Sequence, residues 1–255
     1  MNASILELHD ISYAYHSLTG EIPALSNISF HVRQGEFLAV VGPSGCGKST
    51  LLSIIARLLE PESGTIAFQN PDGSLEYPKT GYMLQHDHLL EWRTILGNVT
   101  LGLEITHKNT PEQVAYAEQL LDDYDLYKFK DKHPGELSGG MRQRAALIRT
   151  LVLNPDILLL DEPFSALDYQ TRLTVSGDIG NIIRTTGKTA ILITHDLEAI
   201  SLADRIIILT GRPATVKKEL SVHLTKEEDT PLAARSAPEF HQYFNLLWKE
   251  LSHEK

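Results

Sequence analysis

Nine residues, Gly42-Pro43-Ser44-Gly45-Cys46-Gly47-Lys48-Ser49-Thr50, constrain the fold of this chain more than any other stretch. They fit G-x-x-x-x-G-K-[ST], follow the apolar run Phe37-Leu38-Ala39-Val40-Val41 and precede Leu51–Leu59, which has helical spacing and no breaker. That strand–loop–helix setting separates a phosphate-binding loop from an accidental match. Gly42, Gly45 and Gly47 let the backbone turn so that successive N–H groups converge on phosphate oxygens. The helix N-terminus beyond them adds partial positive charge. Lys48 reaches the β- and γ-phosphates, and the Ser49 hydroxyl can ligate Mg²⁺. With Pro43, Ser44, Cys46 and Thr50 completing the loop, the stretch implies a nucleoside triphosphate site.

The 255 residues, 42% hydrophobic and 22% charged, suffice for one substantial core and a small subdomain. A formal net charge of −10 argues against a nucleic-acid partner, because phosphate recognition leaves a basic footprint. No apolar run has the length to cross a bilayer, and Met1-Asn2-Ala3-Ser4 does not begin a signal sequence. The expectation is a cytosolic protein whose link to a membrane comes through a partner. Cys46 is the single cysteine, so it reads as a small filler of the phosphate loop in a reducing compartment.

Short runs rich in branched residues predict strands at Ile5–His9, Ile28–Val32, Phe37–Val41, Thr65–Gln69, Thr80–Leu84, Ile157–Asp161, Thr189–Thr194 and Arg205–Leu209. Near-continuous apolar runs such as Ile157-Leu158-Leu159-Leu160 suggest strands buried on both faces of a parallel sheet. Between Gln85 and Leu153 the strand signal disappears, and Pro111–Leu121 and Arg142–Leu153 have helical spacing, which suggests a helical insert in an α/β core. Polar residues with Pro231 and Pro238 mark Ser221–Ala237 as a linker. A final helix follows, with Phe240, Tyr243, Phe244, Leu247, Trp248 and Leu251 on one stripe that docks on the chain's own core.

Two further motifs carry chemistry. Ile157-Leu158-Leu159-Leu160-Asp161-Glu162-Pro163 is an apolar strand that ends in two acids. Asp161 would hold Mg²⁺ through water, and Glu162 would polarise the attacking water. Leu137-Ser138-Gly139-Gly140-Met141-Arg142-Gln143-Arg144 precedes a periodic helix. Read alone, Ser138 is an N-cap and the glycines make a turn, but the same parts also make a second anion site. In this position, shortly before the Asp-Glu-Pro strand, Leu-Ser-Gly-Gly resembles the signature sequence of ATP-binding-cassette (ABC) ATPases.

The other marks of that family occur in order over nearly the whole chain. Gln85, after Gly81-Tyr82-Met83-Leu84, resembles the glutamine that joins core to helical insert, senses the γ-phosphate and contributes with Ser49 and Asp161 to the metal site. Ser165-Ala166-Leu167-Asp168 resembles the loop that passes information across a dimer, and His195, after Ile191-Leu192-Ile193-Thr194, the histidine that contacts the γ-phosphate. Tyr15 sits where the family places an aromatic on adenine, with Tyr13 the alternative. Departures stand beside the matches. Met141 occupies a common glutamine position, and Glu91 and Gly97 interrupt a stretch that contacts membrane subunits in relatives. Gly177 and Gly180 fall in the helix expected after Asp168, each weakening it by about 1 kcal/mol relative to Ala. His86 and His88 read as a solvated or interface-facing pair, since no third metal ligand is visible.

The resemblance implies an α/β P-loop NTPase (RecA-like) core with an N-terminal antiparallel β subdomain and an inserted helical subdomain. The expected limits are 1–220 for the ATPase domain (core 1–85 and 154–220, helical insert about 86–153) and 221–255 for linker and C-terminal helix. It also implies a head-to-tail dimer, of identical or pseudo-symmetric cassettes, with two ATP molecules between them. Each site takes Lys48, Ser49, Gln85, Asp161, Glu162 and His195 from one subunit and Ser138, Gly139, Gly140 and Asp168 from the other. Met141, the Leu-Leu-x-Trp stretch and Gly211-Arg212-Pro213 resemble the nitrate/sulfonate/taurine branch of bacterial importers. That branch implies membrane permease subunits, an extracytoplasmic solute-binding protein and a place on the cytoplasmic membrane face. A non-transport ABC assembly factor is the alternative. A guanine-nucleotide switch is disfavoured: Thr225-Lys226-Glu227-Glu228 is the nearest approach to [NT]KxD.

Overall fold

The computed structural model describes residues 4–18, 20–69, 77–165, 167–226 and 230–252. Met1–Ala3 of the N-terminus, Ala166 of the loop before Asp168, and Glu227–Glu228 lie outside them. The chain opens with two long antiparallel strands, β1 (Ser4–Ser17) and β2 (Gly20–Arg33). Then come β3 (Phe37–Val41), the phosphate loop, and helix α1 (Lys48–Ile55). Strands β4 (Ser63–Phe68) and β5 (Thr80–Met83) follow. Four helices come next: α2 (Ile95–Val99), α3 (Leu101–Ile105), α4 (Pro111–Asp123) and α5 (Gly139–Leu151). The chain then returns through β6 (Ile157–Asp161), α6 (Tyr169–Thr185), β7 (Thr189–Thr194), β8 (Arg205–Leu209) and β9 (Val216–Ser221). It closes with α7 (Pro231–Ser236) and α8 (Phe240–Ser252).

The strands form two sheets, ordered β2-β1-β4 and β5-β6-β7-β3-β8-β9. The first is antiparallel; the second is parallel except for β9, which pairs antiparallel with β8. Every residue of β3, β6, β7 and β8 is buried, which explains their near-continuous apolar sequences, with polar residues only at strand ends. Alternate side chains enter two cores. Leu159, Ile191, Val40 and Ile207 meet α1 and the first sheet, while Leu158, Leu192, Ala39 and Ile206 meet the helical layer. Phosphate loop, Asp161 and His195 all follow the C-terminal ends of neighbouring parallel strands, where such sheets collect ligands.

The β3, β6, β7 and β8 limits match the sequence expectation, whereas β1 and β2 extend well beyond theirs. Four elements were not foreseen: β9, most of whose residues are exposed and polar; α2 and α3, too short to show a period; and α7. The glycines after Ser138 do not make a turn. Gly139 and Gly140 form the first turn of α5, with Ser138 as its N-cap. The 221–237 stretch is not a plain linker either. β9 ends in it, and α7 begins at Pro231 with Thr230 as N-cap, proline being suited to a first helical turn. On α8, Phe240 and Leu247 are buried and Tyr243, Phe244 and Leu251 pack on the core as expected, but Trp248 is exposed. It stacks on Phe244 instead, centroids 6.4 Å apart.

The two sheets are locked by a buried cation. Arg205 donates to Glu36 through Nε (2.7 Å) and Nη2 (2.9 Å), and to Glu219 through Nη1 (2.6 Å). Its Nη2 also reaches the His31 carbonyl of β2. Gly177 and Gly180, unexplained from the sequence, are sites of close approach. A Cβ at Gly177 would lie 3.1 Å from Pro231 Cδ, and one at Gly180 2.7 Å from Leu202 Cδ2.

Candidate nucleotide site

A cleft of about 380 Å³ is lined by Tyr15, Ser44, Gly45, Gly47, Lys48, Ser49, Thr50, Gln85, Asp161, Glu162, His195 and Arg212. The phosphate loop is held by its own chemistry. Gly47 has φ 123°, and a Cβ there would stand 2.9 Å from the Ala24 carbonyl oxygen, so only glycine fits. Cys46 is buried inside the loop, as its reading as a filler requires. Lys48 Nζ donates to the carbonyls of Gly42 and Pro43, both at 2.9 Å. The ammonium is thus mostly buried yet satisfied, at the place where an anion would draw it.

Ser49 Oγ donates to Asp161 Oδ1 at 3.1 Å, and Tyr82 OH approaches Asp161 Oδ2 at 3.4 Å. Burial pushes the Asp161 carboxyl above its ordinary 3.8; Ser49 opposes that shift, Glu162 adds to it, and Tyr82 and Lys48 oppose it. Burial also raises Tyr82 to about 12, so its phenol stays a donor. Hydroxyl, carboxylate and the Gln85 amide form a set of hard oxygen donors of the kind Mg²⁺ takes.

Glu162 adopts φ 46°, an uncommon left-handed conformation for a non-glycine residue. Its N–H donates to the Ile193 carbonyl (2.9 Å), which holds the residue against β7. His195 Nδ1 lies 2.6 Å from Glu162 Oε2. Gln85 Nε2 donates to Ser165 Oγ (3.2 Å), which donates to the Glu162 carbonyl (3.1 Å). Gln85, Glu162 and His195 are therefore joined on one wall. On the opposite side, Tyr15 OH is 2.9 Å from Thr50 Oγ1, and Tyr13 meets the Tyr15 ring edge-on at 5.1 Å. Tyr15 lines the cleft and Tyr13 does not.

Ser138, Gly139, Gly140 and Asp168 stand outside this cleft and beside one another. Ser138 Oγ accepts from Met141 N (3.4 Å), and Asp168 Oδ1 caps α6 by accepting from Gln170 N and Thr171 N, both 3.1 Å. Hydrogen bonds from Thr171 hold the Asp168 carboxyl below its ordinary value. A Cβ at Gly140 would lie 2.6 Å from Thr171 Cγ2, so the first turns of α5 and α6 touch. Sequence reasoning missed Tyr82, Ser165 and the placement of Arg212 in the cleft. Arg212 follows β8 at a strand C-terminus, and that position was the available signal. His86 and His88 lie ring to ring at 5.9 Å. Among the described residues, the one cluster of three His, Cys, Asp or Glu side chains with ligand atoms near one another is His16, Glu21 and Glu62, all exposed.

A phosphate loop, an acid pair and a strand-end histidine on a parallel sheet define a nucleoside-triphosphate hydrolase of the P-loop class. The comparisons carry the assignment further. The sequence model of the family described as ABC transporter matches residues 25–165. An uncharacterized ABC transporter ATP-binding protein of Bacillus subtilis is 42% identical over 98% of this chain and 96% of its own length. The nitrate import ATP-binding protein NrtD of Synechocystis is 39% identical, covering 93% and 91% of the two chains. The taurine import ATP-binding protein TauB of Ruegeria pomeroyi is 40% identical, covering 84% and 81%. Among solved structures, the dimeric post-hydrolysis state of the cassette MJ0796 bound to ADP and Pi superposes with a TM-score of 0.70. It is 28% identical and covers 86% of this chain and 99% of that one. This chain belongs to the ABC transporter ATP-binding proteins. It is an ATPase that couples ATP hydrolysis to transport. No helix among the described residues is long and apolar enough to cross a membrane.

Proposed function

We propose that this chain is the motor subunit of a bacterial importer for a small anion-type solute, of the nitrate, sulfonate or taurine kind. The observation that carries the reading is the split site. Lys48, Ser49, Gln85, Asp161, Glu162 and His195 meet around one cleft, while Ser138, Gly139, Gly140 and Asp168 share a face outside it. One chain thus holds two complementary half-sites, which favours a head-to-tail dimer closing on two ATP molecules. The nitrate and taurine importer ATPases among its relatives support the choice of branch.

Tyr15 would stack on adenine, and Arg212 adds a cation near the phosphates. The loop's backbone N–H groups between Gly42 and Thr50, Pro43 excepted, and Lys48 would bind the triphosphate. Ser49, Asp161 and Gln85 fit a Mg²⁺ ion, which when bound would neutralise charge on the β- and γ-phosphate oxygens. Glu162 accepts a proton from, and aligns, the attacking water. His195 holds the Glu162 carboxylate through Nδ1 and contacts the γ-phosphate. In phosphoryl transfer such alignment and charge stabilisation account for most of the acceleration. Ser138, Gly139, Gly140 and the α5 N-terminus of the partner copy would close over the γ-phosphate. The subunit would then sit on the cytoplasmic face of the membrane, attached through permease subunits.

The test is mild-detergent co-purification of the tagged protein from membranes of its own host, with mass spectrometry of the eluate. A multi-span membrane protein together with an extracytoplasmic binding protein is expected. Recovery with soluble proteins alone would contradict the importer reading and leave the nucleotide chemistry standing.

A further inference from the structure

The last two helices rest on the back of the nucleotide machinery. α7 packs against α6 and against the helical turn Leu197–Ser201, and α8 packs against that same turn. The turn begins two residues after His195, and α6 begins one residue after Asp168. Gly177 lets the Pro231 ring seat directly on α6, so α7 lies against α6 without an intervening side chain.

At this junction Arg235 of α7 places Nη2 3.2 Å from Glu198 Oε1, and its guanidinium carbon is 5.4 Å from the Tyr169 ring centroid. Glu198 belongs to the turn after His195, and Tyr169 is the residue after Asp168. The link continues inward. Glu198 N donates to Asp196 Oδ1 (3.0 Å), and Arg172 Nη1 donates to Asp196 Oδ2 (2.6 Å). Arg172 Nη2 in turn donates to the Leu167 carbonyl (3.2 Å), next to Asp168. One polar chain therefore runs from the C-terminal helices to both sides of the composite site. The loops that carry His195 and Asp168 are its two ends.

We propose that Arg235 is a positioning residue for ATP hydrolysis: through Glu198 and Tyr169 it fixes the His195 loop against the Asp168 loop, so that the C-terminal helices set the turnover rate. This rests on the roles assigned above to Glu162, His195 and Asp168. A half-exposed ion pair contributes only about 0–1 kcal/mol to stability, so a merely structural Arg235 is nearly dispensable. Positioning is different, because small displacements of aligned groups are expressed in rate. Tyr15, Lys48 and Ser49 lie on β1 and α1, which share no substantial contact with α7 or α8, so ATP affinity should be independent of Arg235.

The experiment is steady-state ATPase kinetics of the full-length chain against ATP concentration, for R235A, R235K, E198Q and E162Q. The expected result is a kcat lowered roughly three- to tenfold in R235A and in E198Q, with KM for ATP unchanged within about twofold. R235K, which keeps the charge, should recover most of the rate, and R235A/E198Q should be no slower than the slower single variant. Wild-type kcat in R235A would overturn the proposal, as would a KM that rises with the loss, or a Lys variant no better than Ala. E162Q separates the two levels of argument. If it hydrolyses ATP normally, the site reading fails and this inference with it. If E162Q is inactive while R235A is wild type, the inference alone fails.

Discussion

In the proposed metal site, Asp161 would serve function at a cost to stability. It is buried beside Glu162, and burial lifts its carboxyl above the usual range although Ser49, Tyr82 and Lys48 oppose the shift. A carboxyl whose pKa is raised by folding favours the native state most below its unfolded value of 3.8. That contribution is lost as pH rises through the folded value, so at neutral pH the ionised group disfavours the nucleotide-free fold. Asp161→Asn should therefore raise the melting temperature of the nucleotide-free protein at pH 7.5 while abolishing Mg²⁺-dependent hydrolysis. The melting advantage should shrink toward pH 4, and a lower Tm at neutral pH would contradict this account. At this scale the sequence was informative wherever the proposed role requires one residue type at a fixed spacing, as with Lys48, Ser49, Asp161 and His195, which the structure brings to one cleft. Tyr82 and Ser165 were illegible because their partners, Asp161 and Gln85, lie 79 and 80 positions away.

Among elements, α5 and α6 show why Gly140 must be small. Their first turns touch at Gly140 and Thr171, where an added Cβ would stand 2.6 Å from Cγ2. Gly140→Ala gains about 1 kcal/mol of helix propensity, but overpacking of this kind costs about 1–3 kcal/mol. We expect a net loss of stability on chemical denaturation, together with weaker ATP-dependent dimerisation, since the α5 N-terminus would shift. Added stability with unchanged dimerisation would refute the close-packing argument. Short strands buried on both faces were readable because such burial leaves near-continuous apolar runs, as in β6 and β8. α2 and α3, of five residues each, do not complete two turns and so display no periodicity. α7 was read as linker because Pro231 signals a break, yet the same proline at a first turn starts a helix.

Across the whole molecule, Arg205 joins the antiparallel sheet to the parallel one through Glu36 and the His31 carbonyl. Such pairing between residues 169 positions apart left no trace in the sequence. Glu36→Ala would leave an almost wholly buried guanidinium with the Glu219 carboxylate and the His31 carbonyl, and removing one partner of a buried pair costs about 3–5 kcal/mol. The loss should appear as a lower denaturation midpoint; an unchanged midpoint would show that Glu219 and water compensate. The largest-scale feature is the proposed division of the site between two faces of one chain, which was legible in the sequence as an order of motifs. Its most direct test is light scattering of Glu162→Gln with ATP and Mg²⁺, beside the same variant without nucleotide. The account predicts a monomer that becomes a stable dimer only when ATP is present. A variant that stays monomeric with ATP bound would contradict the two-copy site.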